Sequence, residues 1–190
     1  MTRDRDPAGR PRNARPRDAL GRPLARAQPG AGQPGAAQAG AGQPGADPVI
    51  PDDLALTGPD TARLADQLLR EGRPFHAHEV LEAAWKSGPP HERDLWQGLA
   101  QIAVGLTHAR RGNARGAVAL LRRGAQRVRA YQDQADPSAG PGPDRLHGMD
   151  IPAVLAATDQ LAARIERHGL DGIPAADLKP PLIADTDNDR

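Results

Sequence analysis

The chain concentrates its large aromatic side chains in one segment. All four aromatic residues lie between Phe75 and Tyr131, with Trp85 and Trp96 inside that interval. Because aromatic side chains bury more surface than most other types, the core is expected to form around this segment. The 190-residue chain also contains 21 Gly and 20 Pro, more than a compact helical domain of that length needs. Part of the chain is therefore predicted to lie outside the fold.

Apolar residues recur at helical spacing from residue 53 onward, and Gly, Pro and N-cap residues separate the segments. The pattern predicts five helices: about Asp60 to Glu71, Pro74 to the residue before Gly88, Pro89 to Arg111, Asn113 as cap to about Tyr131, and Asp150 as cap to Gly169. Gly112 and Asn113 predict a tight antiparallel hairpin of two helices. We therefore predict an all-α fold, a compact bundle of about five helices with antiparallel helix hairpins, over residues 53–172.

Residues 1–52 are predicted to be a disordered N-terminal arm, basic at first and then rich in Gly, Ala, Gln and Pro. Residues 1–26 contain eight Arg and three Asp, and such an arm attracts nucleic acid through phosphate contacts. The arm lacks interleaved aromatic residues, however, and the whole chain has a net charge of only +1. A solubilising or linker tail is favoured over nucleic-acid binding. Residues 173–190 are predicted to be a polar C-terminal tail.

The cysteine count and the hydropathy pattern limit the location and the chemistry. With no Cys, the chain has neither a disulfide nor a thiolate ligand or nucleophile, so a metal would need His, carboxylate or amide ligands. No apolar run is long enough for a membrane span, and no apolar core follows the N-terminal arginines as in a signal peptide. We expect a cytoplasmic protein without a membrane partner.

The second predicted helix carries the main candidate site. At about 100° per residue, His78, Glu82 and Trp85 fall on one arc with Phe75 and Leu81. Because the two aromatic residues and Leu81 are of types that pack against neighbouring helices, His78 and Glu82 are expected to be buried. A buried carboxylate needs a partner or a bound cation, and a His four residues before a carboxylate can present two metal ligands from one helix.

Three interpretations of this pair remain open at this point. His78 and Glu82 could be a structural pair that fixes helix packing, with Trp85 as a core residue; they could bind a divalent metal ion or a small ligand; or they could act in general acid–base catalysis. His76 and Glu79 point away from His78 on the helical wheel. We expect these two to be surface residues.

The third predicted helix adds a polar stripe opposite its apolar face. Gln97, Gln101 and His108 share this stripe, while Leu95, Leu99, Ile102 and Leu106 form the opposite, core face. Solvent exposure of the stripe is favoured. If it faces inward, His108 is the natural third metal ligand, and Gln97 and Gln101 are hydrogen-bond partners or ligand contacts together with Trp85. Gly98 and Gly105 are predicted to allow close packing of a neighbouring helix, and the arginines of the fourth helix are expected to be solvated.

Several runs resemble one known family in the same order. They are Phe-His-Ala-His-Glu-Val-Leu-Glu-Ala-Ala-Trp, Leu-Trp-Gln-Gly-Leu-Ala-Gln-Ile-Ala-Val-Gly-Leu-Thr-His and Arg-Arg-Gly-Asn-Ala-Arg-Gly-Ala. From Glu71 to Tyr131 the chain resembles the bacterial and archaeal family called domain of unknown function 309, whose His-x3-Glu-x2-Trp/Tyr motif falls on His78, Glu82 and Trp85. The resemblance implies a compact helical fold and a metal-binding role for the motif. It implies no established activity.

The leading hypothesis is a helical-bundle protein that binds a divalent metal ion or a small molecule through His78 and Glu82, assisted by Gln101 and His108. One alternative is a non-enzymatic structural or interaction module, in which His78 and Glu82 are a buried structural pair. Another is a metal-dependent hydrolase, which requires an open coordination position and a water-accessible cleft.

Overall fold

A computed structural model describes residues 56–134 and 145–183. The predicted arm at residues 1–52 and the last part of the predicted tail, residues 184–190, lie outside the described residues. The described part is mostly helical and contains five packed α-helices. They are α1 (Gly58–Arg70), α2 (Pro74–Ser87), α3 (Arg93–Arg110), α4 (Ala114–Gln134) and α5 (Ile151–His168). The predicted all-α bundle is confirmed.

The helix ends follow from local sequence signals. The Thr57 side chain accepts a hydrogen bond from the Asp60 amide, Asn113 Oδ1 accepts one from Gly116, and Asp150 Oδ1 accepts one from Ala153. These bonds satisfy amide groups that the first turn of a helix leaves without partners. At the other end of α1, Gly72 has φ +73°, the left-handed conformation with which helices commonly terminate.

Each helix packs against its neighbours in the sequence, and α3 contacts both α2 and α4. Its predicted apolar face is buried, with Leu95, Leu99, Ile102 and Leu106 at most 1% exposed. A second run of α3, including Trp96, is buried as well. Because α3 is covered on more than one side, a helix that looked two-faced in the sequence has only a narrow polar edge.

The crossing of α3 and α4 depends on glycine. A Cβ atom on Gly98 would lie 2.9 Å from the Gly124 carbonyl oxygen, and one on Gly105 would lie 3.1 Å from the Leu121 amide nitrogen. Since real Cβ atoms do not approach backbone this closely without displacing it, the two helices are nearly in backbone contact. The packing role predicted for Gly98 and Gly105 is confirmed.

A short antiparallel hairpin precedes α5 and was not predicted. It pairs β1 (Arg145–Leu146) with β2 (Met149–Asp150). Both residues of the turn have positive φ, +56° at His147 and +82° at Gly148, as in the type I′ turns that connect such strands. The hairpin places His147 over the start of α1, where a Cβ atom on Gly58 would overlap the imidazole ring.

The C-terminal segment packs on the bundle beyond α5. Ile173 and Leu182 are 8% and 2% exposed, and a 3-10 helix, Ala175–Leu178, lies between them. Asp66 Oδ1 of α1 accepts hydrogen bonds from the backbone amides of Leu182, at 2.7 Å, and Ile183, at 3.2 Å. The segment predicted as a polar tail from residue 173 thus contains core residues, because two apolar side chains outweigh its polar composition. None of the helices in the described residues is both long and apolar enough to cross a membrane.

Candidate functional site

The α2 helix places His78 and Glu82 one turn apart on its surface. His78 Nε2 lies 3.4 Å from Glu82 Oε2, and the side chains are 25% and 34% exposed. The other carboxylate oxygen, Oε1, forms an ion pair with Lys86 Nζ at 2.7 Å. The three residues form a ladder at four-residue spacing, which helix geometry brings together. The pair that the sequence predicted is therefore present, with an exposed lysine attached to its carboxylate.

The expectation that His78 and Glu82 lie in the buried arc of α2 is only partly correct, because their side chains remain 25% and 34% exposed. The buried face of the helix is formed by Ala77, Val80 and Leu81, all at most 1% exposed. The wheel placed His78 beside Glu82 correctly. Of the three residues that were taken to mark the core, Leu81 is buried, while Phe75 and Trp85 are only half-buried. Small and aliphatic residues of α2 fill the space against the neighbouring helices, and the motif lies at the boundary with solvent.

His76 was also placed incorrectly. It was expected at the surface, yet it is 3% exposed and its ring contacts Phe75 edge-on, with the ring centroids 5.7 Å apart. On the wheel, His76 is next to Val80, so the burial of α2 extends farther round the helix than the apolar pattern indicated. Glu79 is partly buried rather than fully exposed.

His78 has an environment that favours its neutral form. Burial lowers the pKa of His78; the Glu82 carboxylate acts in the opposite direction, and Lys86 adds to the lowering. Phe75 packs its ring edge against the imidazole, with the centroids 6.3 Å apart. An uncharged imidazole is the form that coordinates metal ions and exchanges protons near neutral pH.

Two candidate residues keep buried polar atoms without a hydrogen-bond partner in the described structure: His78 Nδ1 and Gln101 Oε1. Most buried polar atoms in native proteins have a partner, so each of these atoms needs a specific explanation. A bound molecule or ion is one such explanation. Trp85, the third motif residue, is half-buried, and Lys86 Nζ lies 5.9 Å from its ring centroid.

Gln97 and His108 make contacts of their own on α3. Gln97 Oε1 accepts a hydrogen bond from Arg127 of α4, which also forms an ion pair with Asp94 at 3.0 Å. His108 Nδ1 lies 2.8 Å from Asn113 Nδ2 in the turn between α3 and α4. Within residues 56–134 and 145–183, no group of three or more His, Asp or Glu side chains is arranged to hold a metal ion. His78, Glu82 and His108 are therefore not assembled as a three-ligand set.

A second polar cluster, which the sequence did not predict, surrounds Glu92. This residue is 8% exposed, and its Oε2 accepts hydrogen bonds from the Trp96 indole, at 2.9 Å, and from His147 Nε2, at 3.0 Å. The His147 ring stacks on Trp96, with centroids 5.3 Å apart and planes at 18°. Burial raises the pKa of Tyr131, and the Glu92 carboxylate raises it further.

Of the contacts in this cluster, the one between Glu92 and Trp96 could be predicted from the sequence, and the one with His147 could not. Glu92 and Trp96 are four residues apart, the spacing at which helical side chains meet. His147 is far away in sequence and reaches Glu92 through the hairpin turn, so its role depends on tertiary structure. The cluster ties the start of α3 to the hairpin before α5.

Comparisons with known proteins find a family match over the part of the chain that carries the motif. Residues 63–120 match the family model described as "Domain of unknown function (DUF309)". The uncharacterized protein YpuF of Bacillus subtilis (strain 168) is 48% identical over 48 residues, which is 25% of this chain and 28% of YpuF. The match thus spans less than a third of that relative. No solved structure matches the chain. Residues 63–120, which carry His78, Glu82 and Trp85, are a domain of the DUF309 family.

Proposed function

We propose that His78 and Glu82 bind a divalent transition-metal ion whose remaining coordination positions are filled by water or by an external ligand. The observation that carries this proposal is the separation of His78 Nε2 and Glu82 Oε2, 3.4 Å. That distance is longer than the range of about 2.7–3.2 Å for good N–H···O hydrogen bonds. A separation of this length suits two ligand atoms that both coordinate one metal ion between them.

The separation agrees with the dimensions of a metal centre. Two ligand atoms at about 2.0–2.2 Å from a tetrahedral ion are roughly 3.3–3.6 Å apart. The observed 3.4 Å falls within this interval without any movement of α2. A purely structural pair, by contrast, would gain by closing to hydrogen-bond distance.

The protonation state of His78 supports the same role. A metal ion binds the neutral imidazole, so it competes with protons for the ring. Since burial lowers the pKa of His78, the imidazole is mostly neutral near neutral pH, and a metal ion has few protons to displace from it. The Lys86 ammonium acts against the ion, because it repels a cation and occupies Glu82 Oε1.

Coordination through Nε2 leaves the imidazole proton on Nδ1, which then needs an acceptor. Gln101 Oε1 is buried and accepts no hydrogen bond within the described residues, so we propose Gln101 as this acceptor; the two atoms are not hydrogen-bonded in the structure, and the role requires a side-chain movement on metal binding. Two protein ligands leave two positions open on a tetrahedral ion. A bound ion would supply Lewis acidity to a ligand or to water at those positions, which is the feature required by the hydrolase alternative.

The test is a calorimetric titration of Zn²⁺ and Co²⁺ into metal-free protein without an affinity tag. We expect about one equivalent to bind to the wild-type protein, with the loss of binding in His78→Ala and Glu82→Gln. His168→Ala is the matched control, because His168 is exposed at the end of α5. Lys86→Met should bind more tightly than the wild type.

The outcomes separate this proposal from its rivals. If neither ion binds, or if His168→Ala weakens binding as much as His78→Ala, the metal role is wrong. A lower unfolding free energy in His78→Ala without any metal effect would support the structural pair. Hydrolase activity would additionally require turnover that depends on both His78 and the added ion.

A further inference from the structure

Three cationic side chains converge on the turn between α1 and α2, away from the motif residues. Arg110 comes from the last turn of α3, Lys179 from the C-terminal segment, and Arg73 from the turn itself. A Cβ atom on Gly72 would lie 2.8 Å from Arg110 Nη1 and 3.1 Å from Lys179 Cε. We call Arg73, Arg110 and Lys179 the cation cluster.

Two members of the cation cluster lack counterions. Among the residues that the structure describes, neither Arg110 nor Lys179 has an ion-pair or hydrogen-bond partner. Arg110 Nε is buried, although an N–H group of a permanent cation is costly to bury without an acceptor. Arg73 is 17% exposed, and its Nη1 lies 3.6 Å from Glu71 Oε2.

Like charges held this close repel each other, so their approach needs compensation. The C-terminal ends of α3 and of α1, which ends just before Gly72, both favour cations and provide part of it. Neither helix end gives the buried Arg110 Nε a hydrogen-bond acceptor. Among the described acidic groups, Glu71 pairs with Arg73, Asp66 with Arg70 at 2.7 Å and Asp177 with Arg164 at 2.7 Å, and none of them pairs with Arg110 or Lys179.

The backbone at this position lets the cationic side chains approach it closely. Gly72 has φ +73° and no side chain, so Arg110 and Lys179 pass directly over it. Arg73 is the N-cap residue of α2, and no side chain caps that helix start. The positive end of a helix favours an anion, which would add to the attraction of the cationic side chains.

We infer that the cation cluster binds a phosphate group, either as inorganic phosphate or as part of a small phosphate monoester. The planar guanidinium of Arg110 matches two phosphate oxygens at once, and its buried N–H gains an acceptor. Lys179 supplies a second charge from a segment outside residues 63–120, the part that matches the family model. The inference does not depend on the metal role of His78 and Glu82.

The test is equilibrium binding of inorganic phosphate and of glycerol phosphate, at low ionic strength, to the full-length protein from which metal ions have first been removed with a chelating resin. We expect saturable binding that weakens about tenfold or more in Arg110→Gln and in Lys179→Gln, as for the loss of one charge-assisted hydrogen bond. Arg123→Gln is the matched control, because Arg123 is an exposed arginine of α4 outside the cluster.

Arg110→Lys, which keeps the charge but not the planar fork, should fall between the wild type and Arg110→Gln. Urea unfolding of each variant identifies any that fail to fold, and Lys179→Gln then decides the question alone. Tighter binding of glycerol phosphate than of inorganic phosphate would identify the monoester as the ligand, and the reverse would identify the free ion. The inference is overturned if binding does not saturate, if chloride at the same concentration as phosphate displaces it, or if Arg123→Gln weakens binding as much as the cluster variants.

Discussion

Glu92 is the carboxylate whose removal should affect the fold most clearly. Its Oε2 accepts hydrogen bonds from the buried Trp96 indole, at 2.9 Å, and from His147 Nε2, at 3.0 Å. Glu92→Ala removes both acceptor interactions at once. The indole N–H then has no partner at a position where Trp96 is 1% exposed, and the hairpin before α5 loses its polar contact with α3.

The expected loss of unfolding free energy follows from these two contacts. A buried donor left without a partner costs about 1–3 kcal/mol, and the lost contact with His147 adds about 1 kcal/mol. Glu92→Ala should therefore destabilise the protein by about 2–4 kcal/mol. Glu92→Gln keeps one carbonyl acceptor and should lose about 1 kcal/mol. The control is Glu166→Ala, which breaks an exposed ion pair with Arg122 and should change the stability far less than Glu92→Ala, because solvent screens exposed ion pairs.

Urea unfolding, followed by tryptophan fluorescence, measures these differences. Tyr131 gives a second readout, because it is the only tyrosine of the chain and Glu92 contributes to its raised pKa. Phenolate absorbance should show that the pKa of Tyr131 decreases in Glu92→Ala while burial still keeps it above its ordinary value. If Glu92→Ala is no less stable than Glu166→Ala, the account of this cluster is wrong.

Three further predictions address packing, pH and the C-terminal segment. Gly124→Ala should lower the unfolding free energy by about 1–2 kcal/mol, because the added Cβ would lie 2.6 Å from the Gly98 carbonyl oxygen. This steric cost outweighs the better helix propensity of alanine. Thermal unfolding measures the change, and a variant more stable than the wild type would refute the close crossing of α3 and α4. Burial lowers the pKa of His78, so just below about pH 6.5 the folded state binds fewer protons than the unfolded state. The contribution of His78 to the unfolding free energy is therefore complete above that pH and is lost as the pH falls through the lower pKa of the folded state. Unfolding between about pH 7 and pH 5 should therefore show a smaller loss in His78→Gln than in the wild type, and equal losses would contradict the pKa direction. Asp66→Ala should release the segment around Leu182 and cost about 1–3 kcal/mol; hydrogen exchange at the Leu182 amide should accelerate, and unchanged protection would show that apolar packing alone holds the segment.

The helices could be predicted because their ends are marked locally. Pro74, Asn113 and Asp150 each occupy a position where the first turn of a helix has a known chemical preference, and the structure begins helices at or directly after them. The hairpin before α5 and the docking of Leu182 were missed for the opposite reason. Both consist of a few residues whose structure depends on contacts with distant parts of the chain.

The candidate site was predicted in position and only partly in burial. Helix geometry alone places His78 beside Glu82, so their proximity did not require knowledge of the fold. Which side of α2 is buried depends on the neighbouring helices: Ala77 and Leu81 are fully buried, whereas Trp85 packs against the core and remains partly exposed. The cluster of Glu92 and His147 could not be foreseen, because a contact between residues so distant in sequence has no periodic signal.

The most direct test of the proposed metal role is a nitrogen NMR titration of the histidine side chains in metal-free protein. On addition of Zn²⁺, we predict a large change in the Nε2 resonance of His78 at about one equivalent, and no comparable change at exposed His168. The Glu82→Gln variant should lose the His78 response. An unchanged His78 resonance in the wild-type protein, or a response that survives Glu82→Gln, would contradict the proposal that this pair shares a bound metal ion.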